Sequence, residues 1–493
     1  MRRLALACLA LSGASAALAA GCAAPGAPAA DDGEEAVRLL QELVRIDTIN
    51  PPAPGSGKEN AGETALCRRV RQVLAADGIP SEIYESAPGR GNLVARLRGT
   101  GAKKPLLLMA HVDVVGVDRA LWSADPLSGE IRDGFLWGRG ALDDKDDAAI
   151  FVQVLRILAR TKEPLARDVI LMLNADEESS GAFGAAWMVE KHWDKIACEF
   201  VLSEGGRAAL QDGKVSQYGF QTAEKIYNDF RLWLPGRSGH SSIPLPENAI
   251  WTLGRLLARL ESFRTPVRVT PTVAAQLAGL ADLPAHAPFR DAMKRAAAGE
   301  PAAAEELCRN PRFNAQLRST FVPTIVRGGI RENVLPSDVE VNFNARLLPG
   351  DRIDDLIRSI LAHLGLTRVE VVEGDEGAVR RWKERKRDVE AAVFLVDRGV
   401  DAPASSHETE MFRALVRTAE KLSPGSVAVP QMSTGATDAR FLRLKGVACY
   451  GVAPAPTGEA EDGTPHGHDE RVRVESVKFG VRFVLEAVRE VCR

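Results

Sequence analysis

Residues 105–113 read P-L-L-L-M-A-H-V-D. Five apolar residues, Leu106 to Ala110, follow Lys103, Lys104 and Pro105, which is the profile of a short buried strand. The run stops at His111-Val112-Asp113. Side chains alternate across a strand, so His111 and Asp113 share a face. A metal-bound imidazole commonly gives its other ring proton to a carboxylate, which fixes its tautomer. The pattern recurs twice. Residues 168–175, D-V-I-L-M-L-N-A, run into Asp176-Glu177-Glu178, and residues 200–203, F-V-L-S, run into Glu204-Gly205-Gly206. Sites in open α/β sheets form at the carboxyl ends of strands. The three runs are therefore predicted to be neighbouring strands whose ends converge.

At 493 residues the chain exceeds one ordinary core, and two domains are expected. With 45% hydrophobic and 26% charged residues it reads as globular, and a net charge of −3 gives no electrostatic reason to bind nucleic acid. No apolar run after residue 21 is long enough to span a bilayer. Arg2 and Arg3 precede the apolar stretch 4–20, so residues 1–21 read as a secretory signal. Leu18-Ala19-Ala20-Gly21-Cys22 resembles a bacterial lipobox, which would place a lipid anchor on Cys22. Ala17-Leu18-Ala19 is the alternative, an ordinary signal-peptidase site. Residues 22–33 suit a flexible tether. The expected location is outside the cytoplasm, either periplasmic or membrane-anchored as a lipoprotein. The seven cysteines have no C-x-x-C spacing and form no disulfide framework.

Helical spacing is read at 34–45, 60–77, 148–158, 249–260, 353–364, 411–422 and 474–491. Strands are read at 83–84, 93–97, 369–372 and 447–452, and the strict alternation of 339–347 marks a half-buried one. Residues 114–136 read as loop, and 265–320 as Ala- and Pro-rich helical pieces without identifiable chemistry. The expected fold is α/β: a mixed, mostly parallel sheet flanked by helices, with a smaller α+β lid and dimerisation domain inserted. The expected bounds are catalytic residues 34–217 and 374–493, with 218–373 inserted.

A Gly-rich turn, Gly138-Arg139-Gly140-Ala141-Leu142, leads into Asp143-Asp144-Lys145-Asp146-Asp147. Asp146 and Asp147 read as acids at a helix N-terminus, where the dipole favours them. Asp143 precedes the helix and faces the strand-end site. The turn lacks the third glycine and the lysine-hydroxyl pair of nucleotide loops. The candidates are then His111, Asp143, Glu178, Glu204 and His466. Two imidazoles and three carboxylates suit two borderline-soft divalent cations, zinc first. Two metals sharing a water suit hydrolysis, and Glu177, beside Glu178, has the form of a general base.

The chain resembles metallopeptidase family M20, whose members include carboxypeptidases, aminoacylases, desuccinylases and dipeptidases. The resemblance rests on H-V-D at 111–113, G-R-G-A-L-D-D-K at 138–145, D-E-E at 176–178, S-E-G at 203–205, G-H-S-S-x-P at 239–244, N-V-L-P at 333–336, R-L-L-P-G at 346–350, G-A-T-D at 435–438 and H-G-H-D-E at 466–470. These stand in family order across nearly all of the chain after residue 34. The resemblance implies two zinc ions, cobalt or manganese being alternatives. His111 and Glu204 would bind one, Glu178 and His466 the other, and Asp143 would bridge them, with a cis peptide between Asp143 and Asp144. It implies that Asp113 orients His111, that Glu177 is the general base, and that His240 stabilises the oxyanion, reaching across from the other subunit in dimeric relatives. Arg346, Asn333 and Gly435 become substrate-binding candidates, Arg346 for a carboxylate.

Asp146 stands where many members carry Gly. That variant, the H-G-H-D-E form and the signal segment look nearest the secreted carboxypeptidase and N-acyl-amino-acid hydrolase branch. His468 is an alternative ligand to His466, and family spacing favours His466. The expected function is hydrolysis of an amide next to a free carboxylate, in a peptide or N-acyl amino acid. The rivals are a non-catalytic peptide- or metal-binding surface lipoprotein and an esterase or deacylase on the same site.

Overall fold

The structure, a computed structural model, describes residues 30–52, 62–385, 388–461 and 463–493. The expected signal segment, Cys22 with its lipid anchor and most of the tether lie outside the described residues. The end of the tether does not stay loose: residues 30–33 begin the helix Ala30–Arg45.

The strands of the two main sheets are, in chain order, β1 (Ser81–Glu85), β2 (Gly91–Leu97), β3 (Leu106–His111), β4 (Val169–Asn174), β5 (Phe200–Ser203), β6 (Arg207–Gln211), β7 (Lys214–Glu224), β8 (Ile226–Pro235), β9 (Thr320–Gly328), β10 (Asp338–Leu347), β11 (Val369–Glu373), β12 (Ala391–Asp397), β13 (Val427–Ser433) and β14 (Ala448–Gly451). The first sheet has nine strands in the order β1-β2-β4-β3-β5-β14-β7-β13, with β6 paired on β7. Its centre is parallel: β3 lies between β4 and β5, with Leu106 level with both Val169 and Phe200. Strands covered by helices on both faces read as continuous apolar runs. Leu106, Leu108 and Ala110 of β3 accordingly enter one core, and Leu107 and Met109 the other. The three strands predicted to converge are adjacent, and they end together at His111, Asn174 and Ser203.

The second sheet has five strands in the order β9-β10-β8-β12-β11. Alternation in β10 sends Val339, Val341, Phe343, Ala345 and Leu347 into a core with the helices Ala249–Leu260 and Ile353–Leu364. The expected insertion bounds of 218 and 373 both need correction. Residue 218 lies within β7, which pairs with β13 in the first sheet, and β12, beyond 373, pairs with β8 in the second. Both errors come from treating a change in sequence texture as a change of sheet. Residues 114–136, read as loop, carry the short strand Glu130–Arg132 and most of Phe135–Trp137, which pair with each other, and Phe135–Trp137 pairs in turn with Arg471–Arg473.

Residues 271–317 form helices that cover the edge strand β13 through Val273, Leu277, Leu280 and Val429. Covering an edge removes its exposed pairing groups from solvent. The same segment grips the junction of the sheets. Lys225, between β7 and β8, is 1% exposed, and its ammonium donates to Ala315 O at 3.0 Å, Arg318 O at 2.9 Å and Thr320 Oγ1 at 3.0 Å. No helix among the described residues is long and apolar enough to cross a membrane. Cys67, Cys198, Cys308, Cys449 and Cys492 are free thiols.

Candidate active site

His111 closes β3 and is buried. Its Nε2 lies 3.0 Å from Asp143 Oδ1 and 4.0 Å from Glu204 Oε2. The other oxygen of Asp143 lies 3.2 Å from His466 Nε2, which stands 3.0 Å from Glu178 Oε2. One carboxylate thus faces two imidazoles, and each imidazole faces its own glutamate. The five residues expected to meet do meet, although 355 positions separate His111 from His466 (466 − 111). The contacts belong to His466, not His468. Glu178 Oε1 and Glu204 Oε1 are buried without a hydrogen-bond partner among the described residues. A buried anion left so is costly unless it is paired or binds a cation. The donor set fits two divalent cations.

Local geometry explains the approach. Gly140 takes φ 80°, a left-handed turn that suits glycine and swings the chain into Asp143. The Asp143–Asp144 peptide is cis. Asp144 Oδ2 accepts the backbone N–H of His111 at 3.1 Å. Asp146 and Asp147 do stand in the first turn of the helix Lys145–Thr161, but they are buried, and Asp144 makes no side-chain cap. Burial pushes the carboxyl of Asp146 up to about 8 and raises that of Asp147, where the field of Asp146 adds to it.

Charge is crowded at the centre. Burial pushes Glu204 up to about 8 despite His111, and burial with the field of Glu204 raises Glu177 well above the usual carboxyl range. Burial disfavours the charged form of His111, yet hydrogen bonds with Asp113 and Asp143 raise it overall. His466 is held up at about 10 by Asp143 and Glu178. An imidazole and carboxylates packed this way share protons where cations would otherwise sit.

Asp113 does more than was expected of it. His111 Nδ1 lies 3.0 Å from its backbone oxygen and 3.5 Å from its carboxylate. The carboxylate accepts the backbone N–H groups of Glu177 at 3.0 Å and Glu178 at 3.2 Å, and Asn50 Nδ2 at 2.8 Å. It therefore fixes the loop that carries both glutamates. Asn50 also donates to Asp176 at 3.1 Å and accepts from Arg90 at 2.7 Å. Sequence reading missed Asn50, Arg90 and Glu470. Glu470, 0% exposed, accepts Arg139 Nη1 at 2.5 Å, the Gly140 N–H at 3.1 Å and the Leu142 N–H at 2.9 Å. Its only sequence signal was its place in the quoted 466–470 segment.

A cleft of about 420 Å³, a size suited to small molecules, is lined by Glu177, Glu178, Tyr227, Arg346, Gly435 and His466, among others. Arg346 and Gly435 thus join the site. His240 and Asn333 do not line this cleft. They sit beside each other, where Gly239 and His240 pair with Leu335 and Val334, the Ser241 N–H donates to Asn333 O at 3.0 Å, and His240 Nδ1 lies 2.7 Å from Ser242 Oγ.

Residues 107–490 match the model of Peptidase family M20/M25/M40. The chain belongs to this family. As an M20 member it is a metallohydrolase acting on amide bonds. Among its relatives is the human N-fatty-acyl-amino acid synthase/hydrolase PM20D1, 27% identical over 470 residues, covering 92% of this chain and 88% of the relative. The M20 metallo-carboxypeptidase Sso-CP2 from Sulfolobus solfataricus superposes with TM-score 0.68 at 19% identity, covering 93% of this chain and 99% of that one. Human carnosine dipeptidase 1 gives TM-score 0.60 at 15% identity, covering 93% and 97%. At these identities the two structures speak for the M20 fold.

Proposed function

We propose that the chain is a zinc hydrolase of amide bonds lying next to a free carboxylate, in dipeptides or N-acyl amino acids. The observation that carries this is the Asp143 carboxylate divided between His111 and His466. His111 and Glu204 would hold one cation, His466 and Glu178 the other, and Asp143 would bridge. Mixed nitrogen and oxygen donors suit zinc, with cobalt or manganese as alternatives. Such a pair, when bound, acidifies water and neutralises charge developing on the substrate carbonyl oxygen.

The rest falls to the chain's own side chains. Glu177, half-buried beside Glu204 and His111, takes the proton of the attacking water and returns it to the leaving nitrogen. Asp113 holds the ring of His111 and the Glu177–Glu178 backbone. Arg346 grips the substrate carboxylate through two parallel N–H···O bonds, and the backbone at Gly435 borders the same space. His240 and Asn333 serve the cleft of a second copy, where His240 stabilises the oxyanion. A homodimer through the second sheet is supported by its edge: β9 exposes Val322, Ile325 and Val326, and the helix Ala249–Leu260 exposes Ile250 and Trp251. Residues 1–22 support export and a lipid anchor at Cys22, leaving the enzyme periplasmic or membrane-held.

The PM20D1 likeness puts N-acyl amino acids in the test panel beside dipeptides and matching esters. Purified protein is expected to carry two divalent cations per chain and to hydrolyse at least one amide class faster than its ester. Metal-loaded protein inert toward the whole panel would overturn the enzymatic reading in favour of a binding protein. Faster ester cleavage would favour the esterase.

A further inference from the structure

We infer that Tyr227, Asp229 and Asn344 are positioning residues that aim the Arg346 fork at a substrate carboxylate. The inference rests on the proposed role of Arg346 and extends it to Tyr227, which lines the same cleft, and to Asp229 and Asn344, which do not line it. β8 and β10 are antiparallel, with Tyr227 opposite Arg346 and Asp229 opposite Asn344. Residues two apart on a strand share a face, so the four form one square patch. That patch lies on the face turned away from the Val341, Phe343 and Ala345 core.

The contacts close a ring. The Arg346 guanidinium lies over the Tyr227 ring at 4.4 Å, and Arg346 Nε donates to Asn344 Oδ1 at 3.1 Å. Asn344 Nδ2 donates to Asp229 Oδ1 at 3.0 Å, and Tyr227 OH donates to Asp229 Oδ2 at 2.5 Å. Both oxygens of Asp229 are therefore occupied by neutral donors, with Asn342 Nδ2 a further one at 3.5 Å. An aspartate this close to an arginine would ordinarily take its fork. Here Tyr227 and Asn344 cap it, and neither terminal amine of Arg346 has a hydrogen-bond partner among the described residues. The guanidinium plane is set by stacking and by Nε, and its two outer amines remain for an incoming anion. A planar fork recognises a carboxylate only when its plane is fixed and its outer amines are open.

The test compares an N-acyl amino acid with its C-terminal carboxamide, measuring kcat and KM for each on the metal-loaded enzyme. Arg346→Ala is expected to abolish the preference for the acid. Asp229→Ala and Tyr227→Ala are each expected to lose about tenfold of that preference through KM for the acid, the size of one well-made contact. Tyr227→Phe keeps the stacked ring and is expected to lose less than Tyr227→Ala. Asp229→Asn, close to isosteric, stands in if the alanine variant does not fold. If Arg346→Ala keeps the preference, the carboxylate-anchor reading itself falls. If Arg346→Ala loses it while the Tyr227 and Asp229 variants keep it, or slow acid and carboxamide alike, the positioning role is overturned and the anchor stands.

Discussion

The Glu470 carboxylate accepts the backbone N–H of Leu142 at 2.9 Å. A residue four places beyond one candidate ligand, His466, thus holds the residue just before another, Asp143. Arg139 completes the tie by donating to Glu470 at 2.5 Å and to Gly467 O at 2.8 Å. Two loops more than 300 positions apart in the chain are locked face to face, with both imidazole contacts of Asp143 depending on the lock.

Glu470→Gln keeps the shape of this tie but cannot serve three donors as an anion, and Glu470→Ala removes it. Outer partners of this kind are worth roughly 10–100-fold in metal affinity. Metal stoichiometry after dialysis against graded chelator should fall in the order wild type, Gln, Ala. Equal retention in all three would mean that the loops hold themselves.

Glu177→Ala should retain two cations yet lose turnover by about 10²–10⁴-fold, the usual weight of a general base. Metal analysis and kcat on the same preparation decide it. A variant that still turns over would remove Glu177 from the proton path.

His240→Ala should keep its metals and lose turnover. Because His240 lies outside its own cleft, mixing this variant with Glu177→Ala should restore activity to about a quarter of wild type. Half of randomly reassorted dimers are mixed, and each has one intact site. No restoration after subunit exchange would refute the shared site.

Removing the cations leaves buried carboxylates crowded together, so chelation should lower Tm. Binding at about 100-fold over Kd is worth about 2.7 kcal/mol. At about 1 °C per kcal/mol for a chain of 493 residues, a shift of about 3 °C per occupied site is expected on adding zinc back. A Tm indifferent to zinc would argue against a site in these residues.

Lys225 gives a pH-dependent prediction. Burial pushes its ammonium down to about 7 from the ordinary 10.5, with Arg346 assisting and Asp351 opposing. Between those values the unfolded chain holds the proton more tightly. The handicap is full below pH 7 and fades as pH rises towards the unfolded value. Relative to Lys225→Met, wild type should therefore gain stability with pH by at most about 1.4 kcal/mol per unit. Denaturant melts at about pH 7.5 and 9 measure the difference. A constant gap would mean that its three oxygen partners keep Lys225 charged throughout.

The centre of the molecule was legible because its physics is local. Apolar runs that stop at His111, Glu177–Glu178 and Glu204 announce buried strands and what waits at their ends. The helices Ala249–Leu260 and Ile353–Leu364 have the predicted bounds. What escaped is set by partners distant in sequence. Asn50 carries no signal of its own in front of Pro51 and Pro52, and nothing nearby hints at its bonds to Asp113 and Asp176. β13 and β12 carry no distinctive period, and only pairing reveals their sheets. Asp146 and Asp147 obeyed the helix rule for position while tertiary packing overrode the usual exposure of acids.

Lys225 alone separates the last residue of β7 from the first of β8, and its amine is already committed to the segment Ala315–Thr320. The chain crosses between the sheets again after β12, so a swing of one sheet against the other would bend more than this one joint. The helical segment at 271–317, empty of chemistry in the sequence, thereby anchors one of the joints between the two sheets through its last turn.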